Sequence, residues 1–487
     1  MKKLIILLPI TILILGCSAN KNHSNLQAEQ FTNEIRELMD FFKIPGLAVS
    51  IHQNGENIYQ EYFGVSDVEK NVKLDSTALF PIASLTKVIS GVLILKLVEQ
   101  GKFSLDDPVN EFLPKPMLGD SILVKHILSH TSQGNPGEKF YYSSRYDLLT
   151  YVIEKSSGQP FSEILHEEVI VPLKLQNTFL LNGSTKLDRI ATPYMLHKDI
   201  RIGTIDRGYS ASTGIVSNLK DLAIFNEALD SNKIINNDSK DLMFSSFKKD
   251  LPYGYGVFNQ KFENQNIVWA YGQNDSYSSL FLKIPAEKIT LTLLANNNSL
   301  SDPARLINGD ATSSLFVISF LKNYILGLTE MPLLEKQKPT KEIPSGKEFY
   351  RKKILAQALA ESYMAKFAPE KIKTSINLLD HIFSRHQNYL QYADLNLLHN
   401  LSLLKNLTFS MDLGDFNGFD TQIEQIGNKL LEKEPYNPYV HMYLGIFNAR
   451  KENEEKAKIH FKSILNAKNF SNNWYTEEAR QWLNEYP

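Results

Sequence analysis

Ser84 and Lys87 are the residues of this sequence whose types and spacing most clearly suggest chemistry. They lie in Phe80-Pro-Ile-Ala-Ser-Leu-Thr-Lys87, which opens a long apolar stretch that ends at Gly101. If this stretch is a helix that begins at Ser84, Lys87 lies one turn further along and its amine can reach the serine hydroxyl. Burial disfavours the charged form of lysine, which makes the amine a proton acceptor for the hydroxyl. The pair therefore predicts a serine nucleophile with a lysine base.

The Ser-x-x-Lys spacing recurs elsewhere in the chain, so the spacing alone is a weak signal. Other copies begin at Ser217, Ser319 and Ser402. Context separates the copy at Ser84 from these, because a proline precedes it, an apolar helix follows it and a glycine ends that helix. A helix-capping serine beside a chance lysine is the alternative interpretation.

Composition sets broad limits on the fold and on the partners. The chain has 487 residues, is 43% hydrophobic and carries a formal net charge of −2, so it is long enough for two or three globular domains. It has no basic stripe, and we expect no nucleic-acid partner. Neither metal-ligand spacing nor a phosphate-binding glycine loop occurs, so no cofactor is implied. The absence of a Gly-x-Ser-x-Gly elbow argues against the common α/β-hydrolase route to esterase activity.

The first residues are typical of an export signal. Two lysines are followed by an apolar run from Leu4 to Leu15 and by Ile14-Leu-Gly-Cys17, which resembles the lipobox of bacterial lipoproteins. We expect residues 1–16 to be a signal peptide, Cys17 to carry lipid and residues 17–27 to form a tether. The protein would then be exported and anchored to a membrane. Cys17 is the only cysteine, which excludes disulfides within the chain, and an ordinary signal peptide with an incidental cysteine is the alternative.

The segment 28–325 has strands at both ends and helices between them, which predicts an α+β domain. Two strands joined through Asn54-Gly55 are typical of a β-hairpin. Strands return in the second half, after a largely helical middle. We expect one sheet closed by the two ends of the domain, with a helical lobe inserted. The expected strands are Gly46–His52, Asn57–Phe63, Gly254–Asn259, Ile267–Tyr271, Ser279–Ile284 and Ile289–Ala295.

The remainder of the chain predicts a second, all-α unit. Residues 326–346 contain three prolines and several lysines and are typical of a linker. Within 347–487, Tyr443-Leu-Gly445, Ala457 and Phe461 fall where a tetratricopeptide-type (TPR-like) repeat places its packing residues. Such a region is either a docking module for a protein or peptide partner or a helical bundle that shields the preceding domain.

Residues 28–325 resemble the serine β-lactamase and penicillin-binding-protein superfamily, in its class C β-lactamase-like branch. The segment ending at Lys87 resembles the first motif of that family, and residues 97–109 continue it. The resemblance implies a β-lactamase-like antiparallel sheet flanked by helices, followed here by the TPR-like region. His130, in a turn that resembles a structural turn of the family, is expected to be scaffolding.

The second motif of the family is Tyr-x-Asn, whose phenol helps to move protons. Here the matching segment is Phe140-Tyr-Tyr-Ser-Ser144. Tyr142 fits the spacing from the preceding phenylalanine and Tyr141 fits the spacing to the following leucines, and we favour Tyr142. Ser144 then stands in place of the asparagine, which would weaken recognition of a substrate amide because a hydroxyl lacks the paired donor and acceptor.

The third motif departs most from the family. Where Lys-Thr-Gly or His-x-Gly is usual, this sequence has Tyr271-Gly272-Gln273, which carries no cation for a substrate carboxylate. Gly272 would still allow the backbone to approach the substrate. The resemblance implies an oxyanion hole formed by the N–H of Ser84 and an N–H near Asn274.

Together these features predict hydrolysis of an ester or amide through an acyl-enzyme on Ser84, with Lys87 and Tyr142 as acid and base. The acyl donor would be a small molecule or a peptide, including D-amino-acid or cell-wall peptides, and the loss of the cation favours a less acidic donor. Two alternatives are a catalytically weak receptor for wall peptides and an assembly lipoprotein that works through its helical repeats.

Overall fold

The computed structural model describes residues 13–336, 339, 348–385, 388–411, 418–467, 469–470 and 474–486, without the side chains of residues 13–25 and 474. Residues 28–325 are called the N-terminal domain below, and residues 348–486 the helical region. The strands are β1 Gly46–Gln53, β2 Glu56–Asp67, β3 Val72–Lys73, β4 Phe80–Pro81, β5 Phe179–Leu180, β6 Tyr194–Leu196, β7 Ile200–Ile202, β8 Ile215–Ser217, β9 Phe258–Phe262, β10 Gln265–Gln273, β11 Ser278–Ile284 and β12 Ile289–Ala295.

The helices of the N-terminal domain lie mainly in a lobe between β3 and β9. They are α1 Leu13–Phe42, α2 Thr86–Glu99, α3 Val124–Leu128, α4 Leu149–Ser157, α5 Phe161–Leu165, α6 Val171–Leu173, α7 Leu219–Asp230, α8 Asn237–Phe244 and α9 Leu315–Phe320. The helix α2 has buried residues on all sides, as its largely apolar sequence requires.

A seven-stranded antiparallel sheet has the order β3-β2-β1-β12-β11-β10-β9. Asn54 and Gly55 join β1 to β2, with φ angles of 52° and 82° that suit a tight hairpin turn. The other edge of β1 pairs with β12, so that Leu47 lies opposite Ala295. The prediction that the two ends of the domain close one sheet is therefore confirmed.

The two faces of the sheet pack against different layers. Along β10, Ile267, Trp269 and Tyr271 belong to an apolar cluster that includes residues of α1 and α9, whereas Val268 and Ala270 belong to the cluster of the helical lobe. This alternation follows from the two-residue period of a strand, and it is apolar on both sides because both faces are covered. The sheet thus fixes the lobe, and with it α2, at one end of β10.

One predicted strand is displaced. Gly254–Asn259 was expected, but β9 is Phe258–Phe262. A Cβ on Gly256 would lie 2.8 Å from the carbonyl oxygen of Lys87, and one on Gly254 would lie 2.3 Å from that of Met243. The glycines therefore serve close backbone contact with α2 and α8, and the strand begins only after them.

The C-terminal part is helical, as predicted. Its helices are α10 Glu348–Met364, α11 Lys371–Arg385, α12 Leu395–Ser410, α13 Asp420–Lys433, α14 Pro438–Arg450, α15 Glu454–Leu465 and α16 Trp474–Glu485. Small residues sit at the helix contacts: a Cβ on Gly445 would lie 2.8 Å from the ring of Phe461, and one on Gly427 would lie 2.6 Å from Leu444. The likeness to TPR repeats stays a prediction.

Polar contacts join the helical region to the N-terminal domain. Lys352 on α10 forms an ion pair with Asp310 at 2.5 Å, and the hydroxyl of Tyr363 donates to Asp302 at 2.7 Å. Part of the predicted linker 326–346 is also packed, since Glu335 forms an ion pair with Lys353 at 2.8 Å. Residues 337–338 and 340–346 of that linker lie outside the described residues.

The predicted signal peptide and lipid site fall largely outside the description. Residues 1–12 are not described, nor is the side chain of Cys17, whereas the backbone of the predicted tether 17–27 belongs to α1. Within the described ranges, no helix combines the length and apolar character needed to cross a membrane.

Candidate active site

Ser84 lies in a 3₁₀ turn, Ala83–Leu85, that leads directly into α2. Ala83 adopts a φ of 46°, a left-handed conformation that costs a non-glycine residue about 1–3 kcal/mol. The strand β10 passes directly beneath this turn, because a Cβ on Gly272 would lie only 1.9 Å from the carbonyl oxygen of Ile82. The turn and the strand therefore fix the Ser84 backbone from two sides.

Lys87 is 4% exposed, and its Nζ donates a hydrogen bond to Ser84 Oγ at 3.0 Å. A second hydrogen bond, at 3.3 Å, goes to the carbonyl oxygen of Ser212. The Nζ atom also lies 5.0 Å from the ring centroid of Tyr142 and 5.3 Å from that of Tyr146. Two aromatic faces and one carbonyl thus hold the amine against the hydroxyl.

Other copies of the Ser-x-x-Lys spacing have a different environment. Lys322 forms a buried ion pair with Glu34 at 2.6 Å, and Ser319 also donates to this carboxylate at 2.6 Å. Lys405 forms an ion pair with Asp420 at 2.6 Å. These lysines neutralise carboxylates, whereas Lys87 is bonded to the serine three residues before it.

The second motif lies in an extended segment, so successive side chains point to opposite sides. Phe140 and Tyr142 face inward, where their rings lie 5.7 and 6.1 Å from that of Phe258. The hydroxyl of Tyr141 donates instead to Glu434 of the helical region. Of the two tyrosines, Tyr142 shares a pocket with Ser84.

His130 packs against the second motif and forms hydrogen bonds with it. Its ring stacks on that of Tyr142 at 4.2 Å, its Nδ1 accepts from the N–H of Ser143 at 3.1 Å, and its carbonyl accepts from the N–H of Tyr141 at 2.9 Å. Complete burial, and then the charge of Lys87, hold the pKa of His130 well below its usual range. A neutral, enclosed imidazole of this kind is consistent with the expected scaffolding role.

Ser144 is not brought to the pocket. It is exposed at the start of a 3₁₀ turn, Ser144–Leu148, where Ser143 caps the turn by accepting from the N–H of Arg145. The described residues that line the pocket do not include Ser144, which leaves the asparagine of the family motif without a counterpart there.

The third motif does reach the pocket. Tyr271 and Gln273 line it, while Gly272 between them faces the turn of Ser84. Burial, and then the nearby Tyr142, raise the pKa of Tyr271 well above its ordinary value, so its phenol stays neutral. Gln273 donates to Asp302 at 2.9 Å.

The pocket encloses about 540 Å³ of space open to solvent. Beyond the expected residues it is lined by a loop that follows β12, and this loop contributes Asp302 and Arg305 together with Leu306 and Ile307. The sequence analysis missed these residues, since their only signal is that they follow the last predicted strand. Arg305 supplies a positive charge to the pocket, although the third motif contains no cationic residue.

The N–H of Asn274 does not lie free in the pocket. It donates to the carbonyl oxygen of Tyr277 at 3.0 Å and so closes the turn between β10 and β11. The expected second donor of the oxyanion hole, an N–H near Asn274, therefore stays a prediction. No group of three or more histidine, cysteine, aspartate or glutamate side chains suited to a metal ion occurs in the part of the chain described here.

The chain is 25% identical over 304 residues to Protein flp of Staphylococcus aureus strain MW2. The aligned residues cover 53% of this chain and 60% of flp. The chain thus spans less than two thirds of the length of this relative.

Two solved structures share the fold. The octameric penicillin-binding protein homologue from Pyrococcus abyssi superposes with a TM-score of 0.55 at 24% identity, over 68% of this chain and 81% of that chain. SurE superposes with a TM-score of 0.52 at 19% identity, over 67% of this chain and 82% of that chain. The family model described as Beta-lactamase matches residues 31–311, which is more than half of the sequence. The chain therefore belongs to the beta-lactamase family.

Proposed function

We propose that this protein is a serine hydrolase that forms an acyl-enzyme on Ser84 and hydrolyses an ester or amide. The proposal is carried by one observation: Lys87 Nζ lies 3.0 Å from Ser84 Oγ, and Ser84 lines a pocket together with Tyr142. A serine hydroxyl becomes an effective nucleophile when a base at this distance removes its proton.

In the first step Ser84 Oγ attacks the acyl carbon and its proton passes to Nζ of Lys87. The tetrahedral intermediate then collapses, and the leaving group departs with a proton supplied by Lys87 or by the phenol of Tyr142. In the second step water attacks the ester carbon, gives its proton to the same groups and releases the acid with Ser84 restored. No oxidant or external cofactor enters this sequence.

The proposed substrates are small-molecule or peptide acyl donors, including D-amino-acid and cell-wall peptides. The absence of a third-motif cation favours a donor without a carboxylate at that position, whereas Arg305 in the pocket wall accommodates an anionic group elsewhere. Donors of both kinds are therefore needed in the test.

A second candidate is a catalytically weak lipoprotein that binds peptides and docks partners through its helical region. The absence of Ser144 from the pocket lining favours it, because the pocket then lacks the side chain expected to recognise a substrate amide. The Lys87–Ser84 hydrogen bond favours the enzyme.

Intact-mass spectrometry separates the two candidates. Purified protein is mixed briefly with a penicillin and, separately, with an uncharged activated ester. We expect a mass increase equal to the acyl group with at least one donor, and none in Ser84→Ala. The variant removes only the hydroxyl of a partly exposed residue, so its thermal unfolding midpoint should stay within a few degrees of the wild type.

The donor that labels Ser84 identifies the kind of acyl group accepted. Labelling that persists in Ser84→Ala would contradict the assignment of the nucleophile. A wild-type protein that takes up neither donor, nor a phosphonate trap, would favour the binding protein.

A further inference from the structure

The segment Glu434-Pro-Tyr-Asn-Pro438, which joins α13 to α14, contacts the second motif of the active site. The hydroxyl of Tyr141 donates to Glu434 Oε1, and Asn437 Nδ2 donates to the other oxygen of that carboxylate at 3.0 Å. The ring of Tyr141 is 4% exposed and packs edge-on against Phe470 at 4.8 Å. The helical region thus encloses the residue that directly precedes Tyr142.

A second contact between the same two parts lies beside the first. Asn469 Nδ2 donates to the carbonyl oxygens of Ser132 and Gly134, each at 3.0 Å. In return Arg145 donates to the carbonyl oxygen of Asn469 at 2.9 Å and to that of Ser132 at 2.8 Å. These bonds fix the loop after His130 and the residues after Tyr142, on both sides of the second motif.

Displacement of Tyr141 would be transmitted to Tyr142 through the backbone. The two residues are adjacent in an extended segment, with Tyr141 facing the helical region and Tyr142 facing Lys87. His130 bonds the N–H groups on either side of Tyr142, so this part of the chain moves with the His130 loop. An anchor on Tyr141 therefore limits the positions that the Tyr142 phenol can occupy.

We propose that Glu434 is a positioning residue for acyl transfer, which acts through Tyr141 to hold Tyr142 against Lys87 and Ser84. The helical region is then a structural part of the active site, in addition to any role in docking a partner. This inference rests on the proposed serine hydrolase function.

The position of Glu434 fits this role better than general packing. The partly buried carboxylate of Glu434 accepts from the phenol of Tyr141 and from Asn437. Hydrogen bonds to a carboxylate are short and strong, so this contact fixes the orientation of the Tyr141 ring in addition to its burial. Small displacements of a proton-transfer group are costly, with a misplacement of about 1 Å able to reduce the rate by roughly 100-fold.

The test compares Tyr141→Phe, Glu434→Gln and the double variant, using acylation of the full chain by whichever donor labels wild-type Ser84. We expect the rate constant at saturating donor to fall roughly 10-fold in Tyr141→Phe, which removes the hydrogen bond, and less in Glu434→Gln, which keeps a neutral acceptor, with little change in the donor concentration at half saturation. The double variant should be no slower than Tyr141→Phe, because both substitutions act on the same contact.

Tyr389→Phe is the matched control. Tyr389 also donates through its hydroxyl to a side-chain oxygen, that of Gln425, but both lie within the helical region and away from the pocket. Because this hydrogen bond is exposed, the variant should lose no more stability in thermal unfolding than Tyr141→Phe, and it should acylate at the wild-type rate. If Tyr141→Phe, Glu434→Gln and Tyr389→Phe each slow acylation only in proportion to the stability that each variant loses, the role of Glu434 is structural and the proposal is overturned.

The outcomes separate this proposal from the one on which it rests. Wild-type labelling at Ser84 with unchanged rates in Tyr141→Phe and Glu434→Gln overturns the positioning role alone. A wild type that takes up no donor overturns both, since there is then no reaction for Glu434 to support.

Discussion

Gly272 is the residue at which the sheet and the turn of Ser84 come closest. A methyl group there would lie 1.9 Å from the carbonyl oxygen of Ile82 and 2.9 Å from the backbone nitrogen of Leu85. We expect Gly272→Ala to lower the free energy of unfolding by about 1–3 kcal/mol, because backbone atoms must move to admit the Cβ. It should also abolish acylation, since the displaced turn carries the nucleophile. Urea unfolding and intact-mass labelling measure the two effects.

Gly183→Ala is the control for that substitution. No atom lies within 4 Å of the position that its Cβ would take, and its backbone is not in the left-handed region. Stability and labelling should both match the wild type. A Gly272→Ala protein that behaves like this control would show that the turn tolerates a Cβ, contrary to the geometry.

The residues of the site differ in how far sequence could predict them. Ser84 and Lys87 are three positions apart, so helical geometry alone places them together. Sequence reasoning favoured Tyr142 but left Tyr141 open, because the contact that turns Tyr141 outward comes from Glu434 in the helical region. Arg305 reaches the pocket from a loop after the last strand, and no local pattern marks it.

At the scale of elements, α14 and α15 enclose a histidine pair. His441 Nδ1 and His460 Nδ1 lie 3.0 Å apart, and His441 Nε2 lies 2.8 Å from the carbonyl oxygen of Pro435. Burial lowers the pKa of both rings, and burial together with the charges of His441 and Lys456 lowers that of His460 to about 4. Each ring is therefore neutral in the folded protein at pH 7.

This pair predicts that stability falls as the pH drops from about 6.5 to about 4. In that window the unfolded chain protonates His460 and the folded protein does not, so protons favour unfolding. After allowance for partial solvent exposure, we expect a loss of roughly 1–2 kcal/mol. Urea unfolding across this range measures the loss, which should diminish in His460→Gln. The exposed His166 serves as control, and an equal effect of His166→Gln would contradict the assignment.

Elements with local signals were predicted well, and those shaped by distant contacts were not. The hairpin at Asn54-Gly55 follows from turn chemistry that two residues supply. The strand predicted at 254–259 began four residues later, because Gly254 and Gly256 are needed for contact with the backbone of α8 and α2. Alternating apolar residues cannot reveal such a contact.

At the scale of the whole molecule, the ion pair of Lys352 with Asp310 joins the helical region to the N-terminal domain. The positive charge of Lys352, assisted by hydrogen bonds, holds the pKa of Asp310 below its usual range even though burial opposes this. Lys352→Met would leave a buried carboxylate without its cation and should cost about 3–5 kcal/mol. Calorimetry should show one unfolding transition in the wild type and an earlier, separate one for the helical region in the variant.

Lys429→Met provides the comparison, because Lys429 pairs with Glu432 on the exposed surface of α13, where an ion pair contributes little. Its unfolding profile should match that of the wild type. A Lys352→Met profile with the same single transition would mean that the two parts are held together by their apolar contacts alone.

The pairing of β1 with β12 has a consequence for synthesis of the chain. Residues 47–53 leave the ribosome early, yet the strand that covers their free edge is residues 289–295. At ordinary rates of translation, roughly 10–50 s separate the two. During that interval the hairpin presents an unpaired apolar edge, which is the kind of surface that aggregates or recruits chaperones. The central strand pair of the N-terminal domain is thus completed only after most of that domain has been synthesised.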